Sequence, residues 1–248
     1  MTRFRLLATD LDGTLFGHDL QISPRTRKAL ARLAERDCLL AIATGRMFRA
    51  TLPIAEELGV TLPLITYQGA LVRCPLTKAD TWHQPLPRAL AAEALEALSG
   101  SGLHINLYLD DELVLRERTP EAESYMALAR VSPVMCASWE EAMVAHEPTK
   151  IVGIGPEERV VALVAAFRER FGDRLFVTQS QPTFLEITHP AVNKGAALHR
   201  LAESLGIAAS EIVAVGDGQN DVEMIGYAGL GVAMGQGHAA LKAAAGRV

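Results

Sequence analysis

Phe4-Arg5-Leu6-Leu7-Ala8-Thr9-Asp10-Leu11-Asp12-Gly13-Thr14 is the stretch on which the reading of the fold turns. Phe4 to Thr9 is short and largely apolar, as a strand buried inside a parallel sheet must be. It ends in a polar turn with two carboxylates. Open parallel sheets bind ligands beyond the carboxyl ends of their strands, so Asp10 and Asp12 stand where chemistry is expected. Two carboxylates this close repel unless a cation or a proton lies between them. Gly13 permits the tight turn that brings both near one point. A plain Asx-turn after a strand would use the same residues, so the pair alone leaves both readings open.

Outward from this strand the pattern alternates. Ser23-Pro24 predicts a helix start, a capping hydroxyl followed by proline at the first helical position. Ala29, Leu30, Leu33 and Ala34 make an apolar stripe at helical spacing. Leu39 to Ala43 predicts a second strand that breaks at Thr44-Gly45-Arg46 into another helix, and Leu64 to Thr66 a third strand. Strands separated by helices imply βαβ units and a parallel sheet. Between about Lys78 and Thr188 the grammar changes. Ile105 to Leu115 predicts a hairpin turning at Asp110-Asp111. Helices are predicted over Arg88 to Leu98, Pro120 to Arg130 and Glu157 to Phe171, and strands over Ile151 to Ile154, Leu175 to Thr178 and Phe184 to Thr188. The βαβ pattern then resumes, with a helix from Asn193 to Leu205 and buried strands at Ile212 to Val215 and Leu230 to Ala233. An α+β module inserted into an α/β domain is expected, with crossings at Pro75 to Lys78 and His189 to Val192.

Gly216-Asp217-Gly218-Gln219-Asn220-Asp221 supplies a second acidic pair after a buried strand. Oxygen ligands without thiolate or imidazole suit Mg²⁺; a turn with Asp221 capping the next helix would also explain it. Arg46 and Lys194 are expected in the first turns of helices, where the partial positive charge of the N-terminus disfavours structural cations. Both placements make sense if an anion such as phosphate is shared there, although a solvated surface cation is the plain alternative for each.

Asp-Leu-Asp-Gly-Thr-Leu, Ala-Thr-Gly-Arg, Asn-Lys-Gly and Gly-Asp-Gly-Gln-Asn-Asp, in this order and over nearly the whole chain, resemble the haloacid dehalogenase superfamily. The long insertion between the second and third motifs resembles its Cof-like branch with a type-IIB α/β cap. The resemblance implies a Rossmann-like core over 1–78 and 189–248 and a cap over 79–188. It implies Asp10 as nucleophile and Mg²⁺ ligand, and Asp12 as general acid/base with its backbone carbonyl on the metal. Thr44 and the Gly45 amide would bind the phosphoryl oxygens, with Arg46 beside them. Lys194 would neutralise those oxygens and orient Asp10. Asp217 would be the remaining direct carboxylate ligand, with Asp221 and Asn220 adjusting the metal shell. Gln68 departs from the asparagine the family often has there, next to the substrate. Relatives ordinarily run on past the position of Val248 with a closing strand and helix.

The implied activity is Mg²⁺-dependent hydrolysis of a small phosphorylated metabolite through an aspartyl-phosphate. A sugar phosphate is the first expectation, and phosphorylated cofactors and nucleotides stay open. The rival readings are a phospho-receiver module, a non-catalytic phosphometabolite-binding protein and, within the family, a phosphomutase or a mannosyl-phosphoglycerate-type phosphatase. Half of the 248 residues are apolar, enough to bury a real core, and the net charge of −5 argues against nucleic acid as the main partner. Three scattered cysteines and seven dispersed histidines make neither a disulfide framework nor a zinc site. No segment reaches the unbroken apolar length of a membrane span and no signal-peptide core is evident, so a cytoplasmic location and no membrane partner are expected. Oligomeric state is not legible.

Overall fold

The computed structural model describes residues 4–17 and 20–248. In chain order the first elements are β1 (Leu6–Thr9), α1 (Pro24–Ala34), β2 (Leu39–Ile42), α2 (Phe48–Glu57), β3 (Leu64–Thr66), β4 (Leu71–Arg73) and β5 (Asp80–His83). They are followed by α3 (Arg88–Leu98), β6 (His104–Leu109), β7 (Glu112–Leu115), α4 (Pro120–Ala129), β8 (Pro133–Met135), α5 (Trp139–Ala142), β9 (Lys150–Ile154), α6 (Glu157–Phe171), β10 (Phe176–Gln181) and β11 (Phe184–Thr188). The chain closes with α7 (Lys194–Ser204), β12 (Ile212–Gly216), α8 (Val222–Tyr227), β13 (Leu230–Ala233) and α9 (Ala239–Ala244). Among the described residues, no helix is long and apolar enough to cross a membrane.

Two compact units result. One holds the described residues up to 45, with 51–82 and 193–248; the other holds 46–50 and 83–192. In the first, β13-β12-β1-β2 form a parallel sheet. β3 is joined to it by the parallel bridge Ala43–Ile65 and opens a small antiparallel sheet with β4 and β5. Leu6, Ala8, Ala41, Ile212 and Ala214 are wholly buried against α7 residues such as Leu198 and Ala202 and against Met224 of α8. Leu7, Val213 and Val215 on the other face are partly buried, so neither face of β1 and β12 is left to water and both read as short unbroken apolar runs. The mixed α/β class expected from the alternating pattern is the one observed.

The helix starts follow local chemistry. Ser23 accepts a hydrogen bond from the Thr26 N–H with Pro24 at the first position of α1, and Asn193 does the same for α7 through Ala196 N–H. The α1 stripe behaves differently from its pattern: Ala29 and Ala34 are exposed and only Leu30 and Leu33 are half-buried. The helix lies on the β2 side of the sheet as an outer layer with no fully buried residue.

In the second unit six strands run β10-β11-β9-β6-β7-β8, antiparallel except for β7 and β8. The β6–β7 hairpin turns at Asp110-Asp111, with φ +48° and +59°, the two left-handed residues that a tight hairpin of right-twisted strands demands. One sheet face presents Leu107, Ile151, Leu185 and Ile187 to α3 and α6, whose Leu95, Leu98, Phe167 and Phe171 complete the core. Alternation sends Asn106, Tyr108, Lys150 and Glu186 to the opposite face. There Lys150 Nζ lies 3.3 Å from Glu186, and all four side chains are buried. Residues 46–50 belong with this unit because the buried Asp111 carboxylate accepts hydrogen bonds from the Phe48 and Arg49 N–H groups, both at 3.0 Å.

Packing of the first unit makes a paired prediction about glycine. Gly195 sits in α7 where a Cβ would lie 2.5 Å from the Glu223 carbonyl oxygen, whereas a Cβ on Gly226 in α8 would meet nothing. Gly195→Ala should therefore destabilise by about 1–3 kcal/mol despite alanine's better helix propensity. Gly226→Ala should be neutral or stabilise by up to about 1 kcal/mol. Urea unfolding of both variants checks the sign; a stabilised Gly195→Ala would refute the close α7–α8 packing.

Candidate active site

Asp10 is the residue after β1, 6% exposed, and its N–H donates to Val215 O on β12 at 3.0 Å. The chain then doubles back, with Thr14 and Phe16 N–H groups on the Leu11 carbonyl. Gly13 has φ +79°, and a Cβ there would lie 2.2 Å from Asp217 Oδ2, so only glycine lets this turn approach the second acidic loop. Thr14 Oγ1 donates to Asp217 Oδ1 at 2.9 Å, and Gln236 Nε2 donates to the Gly13 carbonyl at 2.6 Å.

Asp221 ties the second loop to itself. Its Oδ2 accepts the N–H groups of Asp217 and Gly218, each at 3.0 Å, and its Oδ1 accepts Lys194 Nζ at 2.6 Å. Lys194 Nζ also donates to Asp10 Oδ1 at 2.6 Å, and the lysine is wholly buried. The anion expected beside this first-turn cation is thus a pair of carboxylates. Asp221 does not cap α8 through its side chain.

One oxygen each of Asp10, Asp217 and Asp221 lies within 4.8 Å of the others. Asp12, half-buried, is not a member of that carboxylate group. Three of the four lone-pair directions of Asp221 are already used, which leaves Asp10 and Asp217 as the carboxylates able to face a cation. Hard oxygen donors gathered in excess of positive charge fit a small divalent ion of the oxygen-loving kind. The residues present therefore suit the metal that the fold implies.

Burial acts on Asp10 more strongly than Lys194 does, and Asp221 and Asp12 add repulsion, so its carboxyl is pushed up to about 8. Burial would lower Lys194, but the two carboxylates outweigh it and hold the ammonium above its ordinary range. Asp217 is also raised, by burial, against the Thr14 hydrogen bond. A second cation beside it would favour the ionised form of Asp10.

The remaining expected residues distribute less evenly. Thr44 is buried at the end of β2, its N–H on Ile65 O and its carbonyl accepting Gln68 N–H. Gly45 passes directly beneath the Gln68 side chain. Asn220 donates to Gln68 Oε1 at 2.9 Å. Arg46 is not in a helix: it occupies a bend two residues ahead of α2, and the first N–H groups of α2 are taken by Asp111. The positive helix end expected near Arg46 is neutralised by a carboxylate of the hairpin turn. Thr14 and Gln236 had no role in the sequence reading. Thr14 lay inside the quoted motif and its hydroxyl was a visible signal, whereas Gln236 is far along the chain from Gly13 and carried none.

The model of the haloacid dehalogenase-like hydrolases matches residues 7–248. The chain belongs to this family. It is 32% identical over 239 residues to an HMP-PP phosphatase of Klebsiella pneumoniae, covering 96% of this chain and 87% of that one. It is 29% identical over 231 residues to a 5-amino-6-(5-phospho-D-ribitylamino)uracil phosphatase of Bacillus subtilis, covering 93% and 84%. Among solved structures, a haloacid dehalogenase-like hydrolase from Bacteroides thetaiotaomicron superposes with a TM-score of 0.86 at 27% identity, over 99% of this chain and 93% of that one. A HAD subclass IIB sugar phosphatase shares the fold with a TM-score of 0.83 at 22% identity, over 98% and 92%. The fold and hydrolase family expected from the four motifs are those found.

Excess buried carboxylate has a consequence for stability. The folded value of Asp10, about 8, exceeds the ordinary aspartate value of 3.8. Between those limits the folded state binds a proton that the unfolded state has lost. That contribution is complete below about pH 4 and is lost as pH rises through about 8. In chelator, Tm should fall across this window in the wild type and fall less in Asp10→Asn. A saturating divalent cation should lift the wild type most at the alkaline end. Identical pH profiles for the two proteins in chelator would overturn the placement of the shift on Asp10.

Proposed function

We propose that this hydrolase is a Mg²⁺-dependent phosphatase that cleaves a small phosphorylated metabolite through an aspartyl-phosphate on Asp10. The observation that carries the reading is Lys194, buried and bound to both Asp10 and Asp221, with Asp217 beside them. The metal would be held by Asp10 and Asp217, with the Asp12 carbonyl completing the set by resemblance. When bound, Mg²⁺ supplies charge neutralisation for the dianionic substrate. We take residues 83–192 to be an inserted type-IIB cap and the remainder, apart from 46–50, the catalytic core.

The protein's own groups divide the work. Lys194 holds Asp10 in one orientation and lowers the repulsion between its carboxylate and an incoming phosphoryl group. Asp10 attacks phosphorus, forming an Oδ–P bond as the P–O bond to the leaving group breaks. Asp12 gives its proton to the departing alkoxide, then takes one from the water that attacks the phosphorus of the acyl phosphate. That second displacement releases inorganic phosphate and restores Asp10. Thr44, Gly45 and Asn220 contribute donors to the phosphoryl oxygens.

The relatives' names support small phosphorylated substrates, one of them a phosphorylated ribitylaminouracil and a structural neighbour's a sugar phosphate. We place the natural substrate in this class, sugar phosphates first. Free Cys38, Cys74 and Cys136 accord with a cytoplasmic setting.

Phosphate release from an aryl phosphate and from a panel of phosphorylated metabolites tests the reading. Activity should vanish in excess chelator and return with Mg²⁺. Asp10→Asn should abolish turnover. Asp12→Asn should lose about 10²–10⁴-fold with alkyl phosphates and less with an aryl phosphate, whose leaving group needs little protonation. Wild-type rates for Asp10→Asn, or full activity without metal, would refute the mechanism. Phosphate bound without turnover would favour a binding protein.

A further inference from the structure

The turn that follows β3 has an unusual backbone. Tyr67 and Gln68 adopt φ of +52° and +62°, and Gly69 follows at +102°. Tyr67 and Gln68 are also buried, at 0% and 1% exposure. Side chains other than glycine are costly in this conformation, and such strain persists only where surrounding contacts impose it, commonly at functional sites. Here the contacts come from three other motif segments. Gln68 N–H donates to the Thr44 carbonyl at 3.1 Å. Its side-chain amide lies over Gly45, where a Cβ would be 2.4 Å from Nε2. Its Oε1 accepts from Asn220 Nδ2 at 2.9 Å. Gly69 rides on the carbonyl of Asn193, the cap residue that precedes Lys194, at a distance that excludes a Cβ.

We propose that Gln68 is a positioning residue for phosphoryl transfer: its amide spans the gap between the Thr44-Gly45 turn and Asn220. This rests on the phosphatase reading above. Through Asn220 it holds the loop that carries Asp217; through Gly45 it sits against the turn that binds the phosphoryl group. The loop with the cation ligand and the loop with the phosphate donors are thereby kept at one separation. Side-chain length decides the function. Asparagine, one methylene shorter, cannot lie over Gly45 and still accept from Asn220. Methionine fills the space but accepts no comparable hydrogen bond.

The test uses the full chain with Mg²⁺ and an aryl phosphate, on Gln68→Asn, Gln68→Met, Asn220→Ala and the Gln68→Met/Asn220→Ala double variant. A lost positioning contact should lower kcat and kcat/KM together, on the order of ten- to a hundred-fold. Asn220→Ala, which also removes a phosphoryl donor, should lose at least as much as Gln68→Met, and the double variant no more than Asn220→Ala alone, because the contribution of Gln68 passes through the same hydrogen bond. Calorimetric titration with inorganic phosphate in Mg²⁺ should show the same non-additive weakening. If Gln68→Asn does not fold, Gln68→Met and Asn220→Ala, which preserve or expose little volume, carry the cycle. Wild-type kcat in Gln68→Met would reduce the residue to space filling and overturn the proposal, as would additive losses in the double variant. Should the wild type bind phosphate but turn over nothing, the phosphatase reading fails while the phosphate titrations still decide the role of Gln68.

Discussion

A single buried ammonium organises the first unit. Lys194 stands at the first position of a helix, where the helix field opposes a cation, and it is shut away from water. Removing such a charge from water costs several kcal/mol, recovered only through close and well-formed partners. Asp10 and Asp221 are those partners, at 2.6 Å each. Asp10 directly follows β1 and Asp221 lies in the loop that follows β12, its neighbour in the sheet, while the lysine comes from the helix whose apolar residues pack with both strands. The charge network can form only if the sheet register and the seating of α7 are both correct. Conversely, loss of the lysine would leave two carboxylates buried without a cation.

The same network shows why the site is chemically poised. Two carboxylates share one ammonium, and Asp217 adds a third at close range. The one charge of Lys194 is shared by more than one carboxylate, so an added divalent ion or a proton would suit this set. Burial and the neighbouring carboxylates accordingly hold the Asp10 carboxyl above its ordinary range. Asp221 differs from Asp10 only in its neighbours: two backbone N–H groups and the ammonium occupy it, so it serves the loop rather than the ligand. Identical side chains acquire different roles because different backbone groups face them.

Close approach is the second constraint. Gly13 lies against the Asp217 carboxylate, Gly45 beneath the Gln68 amide, and Gly216 against Asp221. At each place a β-carbon would occupy space held by one of these side chains, so the loops can converge only through glycine. The second unit solves a different problem. Its sheet buries Lys150 and Glu186 as a pair on the face opposite its apolar core, with the ammonium also 5.1 Å from the centre of the Tyr108 ring.

Much of this protein was legible in its residue order. Local rules set the helix starts at Ser23 and Asn193 and the Asp110-Asp111 hairpin, because caps and two-residue turns depend only on near neighbours. The apolar runs of β1 and β12 announced a parallel sheet because neither of their faces is left to water, so apolar residues are kept at every position. The four short motifs located Asp10, Thr44, Lys194 and Asp217. Other features had no local signature. The N–H groups expected to welcome an anion beside Arg46 are taken by Asp111, which is distant in sequence. The α1 stripe stays half-exposed because periodicity reports which residues share a face, not how fully another layer covers it. Asp221's commitment to the Asp217 loop, the Thr14 and Gln236 contacts and the Gln68–Asn220 bridge join residues far apart in the chain. Sequence by itself determined the kinds of side chain and the elements that carry them. Which carboxylate is free to meet a cation was decided by the fold alone, since hydrogen bonds and burial are assigned only when distant strand ends meet.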